Sequence, residues 1–248
     1  MFLKKLYLIF KFLVRKLDLF MGGSYLHKIY DYFYNPNMFT LGKKHQRKII
    51  LFYNQNYDLL SKLSSTYNTD KGSIEKIKTK KNKFGYETHT YTDFYSLLFG
   101  CFRENIKLVF ECGILNGASL RVWRDYFVNS EIFGGDINKD LLFTEHRIKT
   151  FYVDQTSKNS IKQMWLNIQK NNFDLIIDDG LHTNDANIKL FEESFKFLKP
   201  NGIYIIEDVS NDNLLFLQNY FNNYNAQTIV LKSKEVRYPN NNLIMITK

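Results

Sequence analysis

From Lys107 to its last residue, this 248-residue chain alternates short apolar segments with segments of helical length. This alternation is the feature that most constrains the fold, because it is typical of a parallel sheet whose strands are joined by crossover helices. The predicted strands are Lys107–Cys112, Glu131–Asp136, Thr150–Val153, Phe173–Asp178, Gly202–Glu207, Gln227–Leu231 and Leu243–Thr247. We therefore expect an α/β protein with a Rossmann-like, mostly parallel sheet of seven strands.

Between these strands, apolar residues recur at the spacing of helices that bury one face. The predicted helices of this region are Ala118–Phe127, Ser157–Gln169 and Asn184–Leu198, and a further helix is predicted over Tyr91–Phe102. A hairpin through Tyr238–Asn242 is predicted to join the last two strands.

Charge divides the chain into two parts. Residues 1–83 carry 17 lysines and arginines against 5 acids, whereas the remaining residues carry 17 against 20. A nearly neutral body with a basic attachment is not the pattern of a nucleic-acid enzyme that is basic throughout. We predict a basic helical N-terminal extension over residues 1–65, a loop and helix covering the ligand pocket over 66–106, and the catalytic core over 107–248.

The segment Met1–Phe20 combines aromatic, leucine and basic residues at helical spacing. Its frequent charges argue against a membrane-spanning helix, and Lys11 interrupts the apolar run that a secretory signal needs. Two interpretations stay open: an interfacial helix on anionic lipid, peripheral at the inner face of a membrane, or a helix packed on the body or on a second subunit. The two cysteines, Cys101 and Cys112, exclude a disulfide framework and favour a cytoplasmic protein.

The first predicted strand runs into a glycine loop that carries Gly113 and Gly117, with Glu111 two residues before the first glycine. Glycines there let the backbone approach a ligand at a helix N-terminus. The Gly-x-Gly-x-x-Gly dinucleotide fingerprint is absent. The Glu111 carboxylate would repel a pyrophosphate but is compatible with a positively charged ligand. The loop therefore favours a cationic methionine-type ligand.

The next two predicted strands also end in polar residues. Asp136 is placed to accept both ribose hydroxyls, and Asp154 with Gln155 is placed beside an adenine edge. The alternative is that these acids only cap a helix or a loop.

The strongest signal lies after the fourth and fifth strands. Asp178 and Asp179 stand at the end of one strand with His182 three residues later, and Glu207 and Asp208 stand at the end of the next. Because adjacent strands lie about 4.8 Å apart, Asp179, Glu207 and Asp208 are expected to converge. A divalent cation would offset their repulsion, so we predict Mg²⁺ or Mn²⁺, or Fe²⁺ if His182 coordinates.

His182 has a second predicted use. A metal lowers the pKa of a bound aliphatic hydroxyl, and a neutral imidazole beside it can accept the proton. The alternative is an ordinary surface or core histidine with a structural hydrogen bond.

Seven stretches resemble the macrocin/mycinamicin-type sugar O-methyltransferases, which are metal-dependent class I enzymes that use S-adenosylmethionine. These stretches are Tyr67–Gly72, His89–Tyr91, Glu111–Trp123, Asp136–Asn138, Asp154–Gln155, Asp178–His182 and Glu207–Asp208. The resemblance covers roughly residues 65–210 and implies a class I methyltransferase sheet. Two positions depart from the family pattern: Leu181 stands where serine is frequent, and Cys112 where an apolar residue is usual, so we interpret Cys112 as a small buried filler.

Carried over by position, the resemblance implies three metal ligands, Asp179, Glu207 and Asp208, with His182 as general base and Asp179 at the catalytic centre. It also implies that the methyl donor site is lined by Glu111, Gly113, Asn116, Gly117, Ser119, Leu120, Asp136, Asp154, Gln155 and Asp178. His89 and Tyr91 either reach this pocket or pack beside it.

The expected function is methylation of a sugar hydroxyl, on an activated or nucleotide-linked sugar for a surface polysaccharide or a glycosylated product. We expect a homo-oligomer. We expect no nucleic-acid partner, since the Asn/Asp-Pro-Pro-aromatic motif of base-amine methylation is missing. The lysine-rich segment Ser73–Lys83 either closes over an anionic acceptor or is a solvated loop. Three other functions stay open: methylation of a phosphate-type or amino-acid-derived acceptor, a metal-dependent oxygenase or hydrolase, and a non-catalytic membrane-peripheral protein.

Overall fold

This computed structural model describes residues 47–52, 58–72, 89–232 and 242–248, and the strands among them form one mixed sheet. Its strands are β1 (Arg47–Phe52), β2 (Leu108–Cys112), β3 (Glu131–Asp136), β4 (Thr144–Glu145), β5 (Ile148–Tyr152), β6 (Phe173–Asp178), β7 (Leu198–Val209), β8 (Asn225–Lys232) and β9 (Asn242–Thr247). They lie in the order β1-β8-β9-β7-β6-β2-β3-β5-β4. The predictions for Met1–Phe20, for Ser73–Lys83 and for the hairpin before Asn242 fall on residues outside the described ranges.

The helices connect these strands. They are α1 (Leu59–Tyr67), α2 (Tyr91–Phe99), α3 (Ala118–Tyr126), α4 (Lys158–Ile168), α5 (Asn184–Ser194) and α6 (Asn211–Tyr220). Single 3₁₀ turns occupy Arg103–Asn105, Lys139–Leu141, Phe195–Phe197 and Phe221–Asn223. Among the described residues, no helix combines the length and the apolar character that crossing a membrane requires.

All seven predicted strands are present, and the expected mostly parallel Rossmann-like sheet is confirmed. Strand β9 is antiparallel to both of its neighbours, β7 and β8, whereas β2, β3, β5, β6 and β7 run parallel. Two further strands were not expected, so the described part of the chain has nine strands in its sheet rather than the predicted seven. Strand β4 pairs antiparallel with β5, and β1 pairs parallel with β8 at the other edge of the sheet.

Strand β1 corrects the prediction of helical structure for this part of the N-terminal region. Arg47–Phe52 is extended and pairs along its full length with β8, from Arg47 beside Gln227 to Phe52 beside Lys232. An open sheet edge offers unpaired backbone groups to any extended segment that reaches it. The prediction was wrong here because a short apolar run such as Ile49–Phe52 does not by itself distinguish a strand from a helix.

A hydrophobic core lies on each face of the sheet, as residues of the central strand β6 illustrate. Leu175 and Ile177 belong to the core that also contains residues of α1, α2 and α3. Ile176 belongs to the core that contains residues of α4, α5 and α6, and the predicted buried Cys112 lies in that second core. Because all six residues of β6 are buried, its carboxyl end is held rigidly where the site begins.

The carboxyl ends of β2 and β6 are joined by direct backbone contact. The Asp179 N–H donates to the Cys112 carbonyl at 2.9 Å, and the Gly113 N–H donates to the Gly135 carbonyl at 2.8 Å. A Cβ atom on residue 113 would lie 2.0 Å from the Asp179 carbonyl oxygen, and Gly113 has a φ of +87°. Glycine is therefore required where the glycine loop meets the residues that follow β6.

Candidate active site

A cavity of about 320 Å³ opens at the carboxyl ends of the strands. Its lining includes the turn Asn68–Lys71 after α1, the glycine loop Gly113–Asn116, and polar residues at the carboxyl ends of β6 and β7. A second cavity of about 200 Å³ shares Gly113 and Asp136 with the first. Ligands of open α/β sheets bind at this edge, so the position agrees with the sequence prediction.

Six of the predicted donor-site residues line these cavities. Gly113, Asn116, Ser119 and Asp136 line the larger cavity, and Asp154 and Gln155 join Gly113 and Asp136 in the smaller one. Leu181, one of the two departures from the family pattern, also lines the smaller cavity and is half exposed.

Asp136 lies where the two cavities meet. Its carboxylate accepts the Ile114 N–H at 3.0 Å and the Asn138 N–H at 2.8 Å. Two backbone donors on one carboxylate fix its orientation while leaving it accessible from both cavities. The side chain can therefore accept further hydrogen bonds from a ligand that spans them.

Two predicted donor-site acids lie behind the cavity walls, and we call Glu111 and Asp178 the buried acid pair. Both are fully buried. Glu111 accepts hydrogen bonds from the Ser119 hydroxyl and the Trp123 indole N–H. Asp178 accepts from the Gln155 side-chain amide at 2.7 Å and from that of Asn187 at 2.9 Å.

The buried acid pair therefore orients two residues of the cavity walls, Ser119 and Gln155, by hydrogen bonding. The other two predicted residues, Gly117 and Leu120, are absent from both linings; Gly117 caps α3 with a φ of +74°, and Leu120 is packed in the first core.

The three acids predicted to bind a metal, Asp179, Glu207 and Asp208, form what we call the acid corner. Asp179, Asp208 and His182 each place one potential ligand atom within 4.8 Å of the others. Two carboxylates and an imidazole are a donor set that fits Mn²⁺ or Fe²⁺ well, and the carboxylates alone suit Mg²⁺. His182 and Asp208 adopt left-handed backbone conformations, with φ of 57° and 56°.

Glu207 lies deeper than the other two acids and outside this group of three. Its side chain is fully buried, and its carboxylate is bound by the Lys71 ammonium and the Tyr95 hydroxyl. Burial raises the pKa of Glu207 to about 7, although the nearby Lys71 charge opposes the rise. Burial likewise raises the pKa of Asp179, again against the effect of Lys71. Three carboxylates share one ammonium in this corner, and a further cation would favour the ionised forms of the carboxylates.

Lys71 is the cation that sequence reasoning missed. Its side chain is 4% exposed, and its ammonium lies 2.7 Å from Asp179 Oδ2 and 4.0 Å from Glu111 Oε1, in addition to its salt bridge with Glu207. Burial opposes the charge, but the attraction of Asp179, Glu111 and Glu207 raises the pKa of Lys71 well above its usual value. The available signal was the predicted cluster of acids, to which no basic partner had been assigned. Such a cluster indicates that a lysine or arginine lies nearby.

Two tyrosines of α2 complete the corner. The Tyr91 hydroxyl donates to Asp208 and the Tyr95 hydroxyl to Glu207, from positions four residues apart on one helix face. His89 stacks on Tyr91 with Nδ1 3.3 Å from Asp208 Oδ1. His89 and Tyr91, predicted to reach the donor pocket or to pack beside it, therefore contact the acid corner. The spacing of Tyr91 and Tyr95 was the available signal for Tyr95.

Comparison with known proteins finds no matching family model. Over 128 residues the chain is 33% identical to the 8-demethyl-8-alpha-L-rhamnosyl tetracenomycin-C 2'-O-methyltransferase of Streptomyces olivaceus, covering 49% of this chain and 33% of that enzyme. Over 157 residues it is 32% identical to the mycinamicin VI 2''-O-methyltransferase of Micromonospora griseorubida, covering 60% of this chain and 36% of that enzyme. The alignments thus span about a third of the length of these relatives.

Among solved structures, the chain is similar to the MycE methyltransferase of the mycinamycin biosynthetic pathway in complex with Mg and SAH. The TM-score is 0.55 at 24% identity, and the match covers 77% of this chain and 55% of that one. This similarity identifies the fold as that of class I methyltransferases. With the sequence matches, the predicted resemblance to the macrocin/mycinamicin-type sugar O-methyltransferases is confirmed over about half of the chain.

Proposed function

We propose that this protein is an S-adenosylmethionine-dependent, divalent-metal-dependent O-methyltransferase that acts on a sugar hydroxyl. One observation carries the proposal: Asp179, His182 and Asp208 converge at a cavity that adjoins a second cavity, with Gly113 and Asp136 in both linings. A donor bound across both cavities would present its methyl group beside a metal and a base.

The donor would lie across the junction at Asp136. Asp136 would accept the ribose hydroxyls, and Asp154 and Gln155 would lie beside the adenine in the smaller cavity. The methionine part would follow the glycine loop into the larger cavity. Acidic residues in that cavity suit a sulfonium ion, because opposite charge stabilises a bound cation.

Asp179 and Asp208 would hold the divalent metal, with Glu207 as the third ligand that the resemblance implies. When bound, the metal lowers the pKa of the acceptor hydroxyl and fixes its position. Tyr91 and His89 orient Asp208 through their contacts with its carboxylate. Such outer partners hold ligands in place before a metal arrives.

His182 would act as the general base. Its side chain is 37% exposed, on the wall of the larger cavity, and its Nε2 lies 3.7 Å from Asp208 Oδ2. The acceptor oxygen forms a bond to the methyl carbon while the carbon–sulfur bond of the donor breaks, giving S-adenosylhomocysteine. The hydroxyl proton passes to His182, and the rate enhancement comes mainly from positioning and charge stabilisation.

For the acceptor we propose an activated or nucleotide-linked sugar that serves a surface polysaccharide or a glycosylated product. The support is the similarity to enzymes whose names specify methylation of sugar hydroxyls. We further propose that the protein works in the cytoplasm as a homo-oligomer, with Met1–Phe20 as a candidate membrane contact.

The test is incubation of the purified chain with methyl-labelled S-adenosylmethionine, Mg²⁺ or Mn²⁺, and a panel of free, glycosidic and nucleotide-linked sugars. We expect a labelled methyl ether on one class of sugar, and loss of transfer when EDTA removes the metal. Calorimetry that detects no donor binding, together with no transfer, would contradict the proposal and favour an oxygenase or hydrolase. Transfer to a phosphate or amino-acid acceptor would retain the methyltransferase and replace the substrate class.

A further inference from the structure

We propose that Lys71 is an internal cation of the acid corner and competes with the divalent metal for the same carboxylates. The inference rests on the proposed function, because it concerns the same metal site. If it holds, binding of the metal is a cation exchange.

The contacts of Lys71 place it among the predicted ligands. Its ammonium binds Asp179 Oδ2 at 2.7 Å and forms a salt bridge with Glu207, two of the three acids assigned to the metal. The side chain is buried, so solvent screens these charges little. An ammonium that binds one buried and one partly exposed carboxylate is a substitute for the positive charge that a metal would bring.

The backbone of Lys71 is anchored to the helix that carries the two tyrosines. Its carbonyl accepts the N–H groups of Tyr91 at 3.0 Å and Thr92 at 3.2 Å, at the start of α2. Lys71, Tyr91 and Tyr95 therefore form one unit that binds the acid corner. Because these contacts involve only the backbone of Lys71, a movement of its side chain would leave them intact.

Competition follows from the shared ligand. Asp179 is one of the three residues, with His182 and Asp208, whose potential ligand atoms lie close together. It is also one of the metal ligands that the resemblance implies. A divalent cation binds a carboxylate oxygen at about 2.0–2.6 Å, so a metal on Asp179 would lie close to the ammonium and repel it. Glu207, in turn, can become a ligand when Lys71 releases its carboxylate.

The rival interpretation is that Lys71 positions the carboxylates and helps the metal to bind. The two interpretations predict opposite signs for one measurement. If Lys71 competes, replacing it by an uncharged residue of similar length increases metal affinity. If Lys71 positions the ligands, the same replacement decreases it.

The experiment is calorimetric titration of Mn²⁺ into the full chain, without donor or acceptor. For Lys71→Met we expect a Kd at least about fivefold lower than that of the unchanged protein, the scale of typical coupling between linked ligands. Lys71→Arg keeps the charge and should show no decrease in Kd, and Lys158→Met, at a half-exposed surface position, should show no change. An unchanged or higher Kd for Lys71→Met, or no Mn²⁺ binding by either protein, would overturn the inference.

A second measurement needs no substitution and so does not depend on the variant folding. The rate of reductive methylation of Lys71, followed by peptide mass spectrometry, should rise when Mn²⁺ saturates the protein. A rate that stays low at saturation would overturn the competition. The methyl-transfer assay is independent: a protein that shows this exchange but transfers no methyl group would retain the inference and lose the proposed function.

Discussion

Asp178 and Asp179 are neighbours in the chain, yet they belong to two regions in which a carboxylate has different partners: neutral donors in one and a cation in the other. In the buried acid pair, Asp178 is held by the side-chain amides of Gln155 and Asn187, which are neutral donors. In the acid corner, Asp179 contacts the Lys71 ammonium and lines the larger cavity. One residue step at the end of β6 turns the side chain from the interior to the site.

The difference teaches which carboxylates are available for chemistry. Neutral donors with fixed geometry satisfy a buried acid permanently and make it part of the scaffold. A carboxylate whose partner is a cation can instead be neutralised by another cation, as the proposed competition between Lys71 and the metal requires. The two regions therefore predict different consequences for the same substitution.

The largest expected effect is that of Asp179→Asn in the acid corner. Removing a ligand charge and the partner of Lys71 should reduce turnover to the background of the labelled-donor assay and weaken Mn²⁺ binding, while the fold is retained. The checks are methyl transfer, Mn²⁺ calorimetry and circular dichroism. Asp185→Asn, at an exposed position on α5, is the matched control. Unchanged turnover in Asp179→Asn would remove this residue from the proposed metal site.

His182→Ala sharpens the comparison within the site by separating chemistry from binding. Loss of a general base should lower kcat by about 10²–10⁴-fold, whereas donor affinity should change little. Steady-state kinetics and donor calorimetry measure the two quantities. The opposite pattern, weak donor binding with a retained kcat, would make His182 a binding residue.

The smallest expected effect on turnover is that of Asp178→Asn, the same substitution one residue earlier. The new amide would face the donors of Gln155 or Asn187, and a flip of the Gln155 amide would cost its acceptance of the Leu181 N–H. Such a mismatch costs about 1–3 kcal/mol of unfolding free energy, measured by urea denaturation. Turnover per folded molecule should fall far less than in Asp179→Asn. Loss of turnover at unchanged stability would break the distinction between the two regions.

The sequence predicted the sheet and the position of the site because both depend on local patterns. Alternating apolar segments located the seven central strands, and polar residues after strand ends located Asp136, Asp154 and the acid corner. Parallel strands bring their carboxyl ends to one edge of the sheet. The strand pattern alone therefore predicts that residues far apart in sequence meet there, and no knowledge of side-chain contacts is needed.

What the sequence did not predict depends on contacts between distant segments. Lys71 precedes Asp179 by 108 residues, and its burial depends on how the turn after α1 packs against the start of α2. The deeper position of Glu207 depends on Tyr95, whose hydroxyl binds it from the neighbouring helix. Strand β1 pairs with β8 across most of the chain. Apart from the four-residue spacing of Tyr91 and Tyr95, these contacts leave no periodic signal in the sequence.

The left-handed backbone at His182 and Asp208 has a consequence for engineering. Glycine or asparagine would adopt these conformations more easily than histidine, so a search for thermostable variants would reward replacing His182. The gain in stability would remove the proposed base. At these two positions, substitutions selected for higher stability are expected to lower turnover. Variant libraries designed to increase stability should therefore leave His182 and Asp208 unchanged.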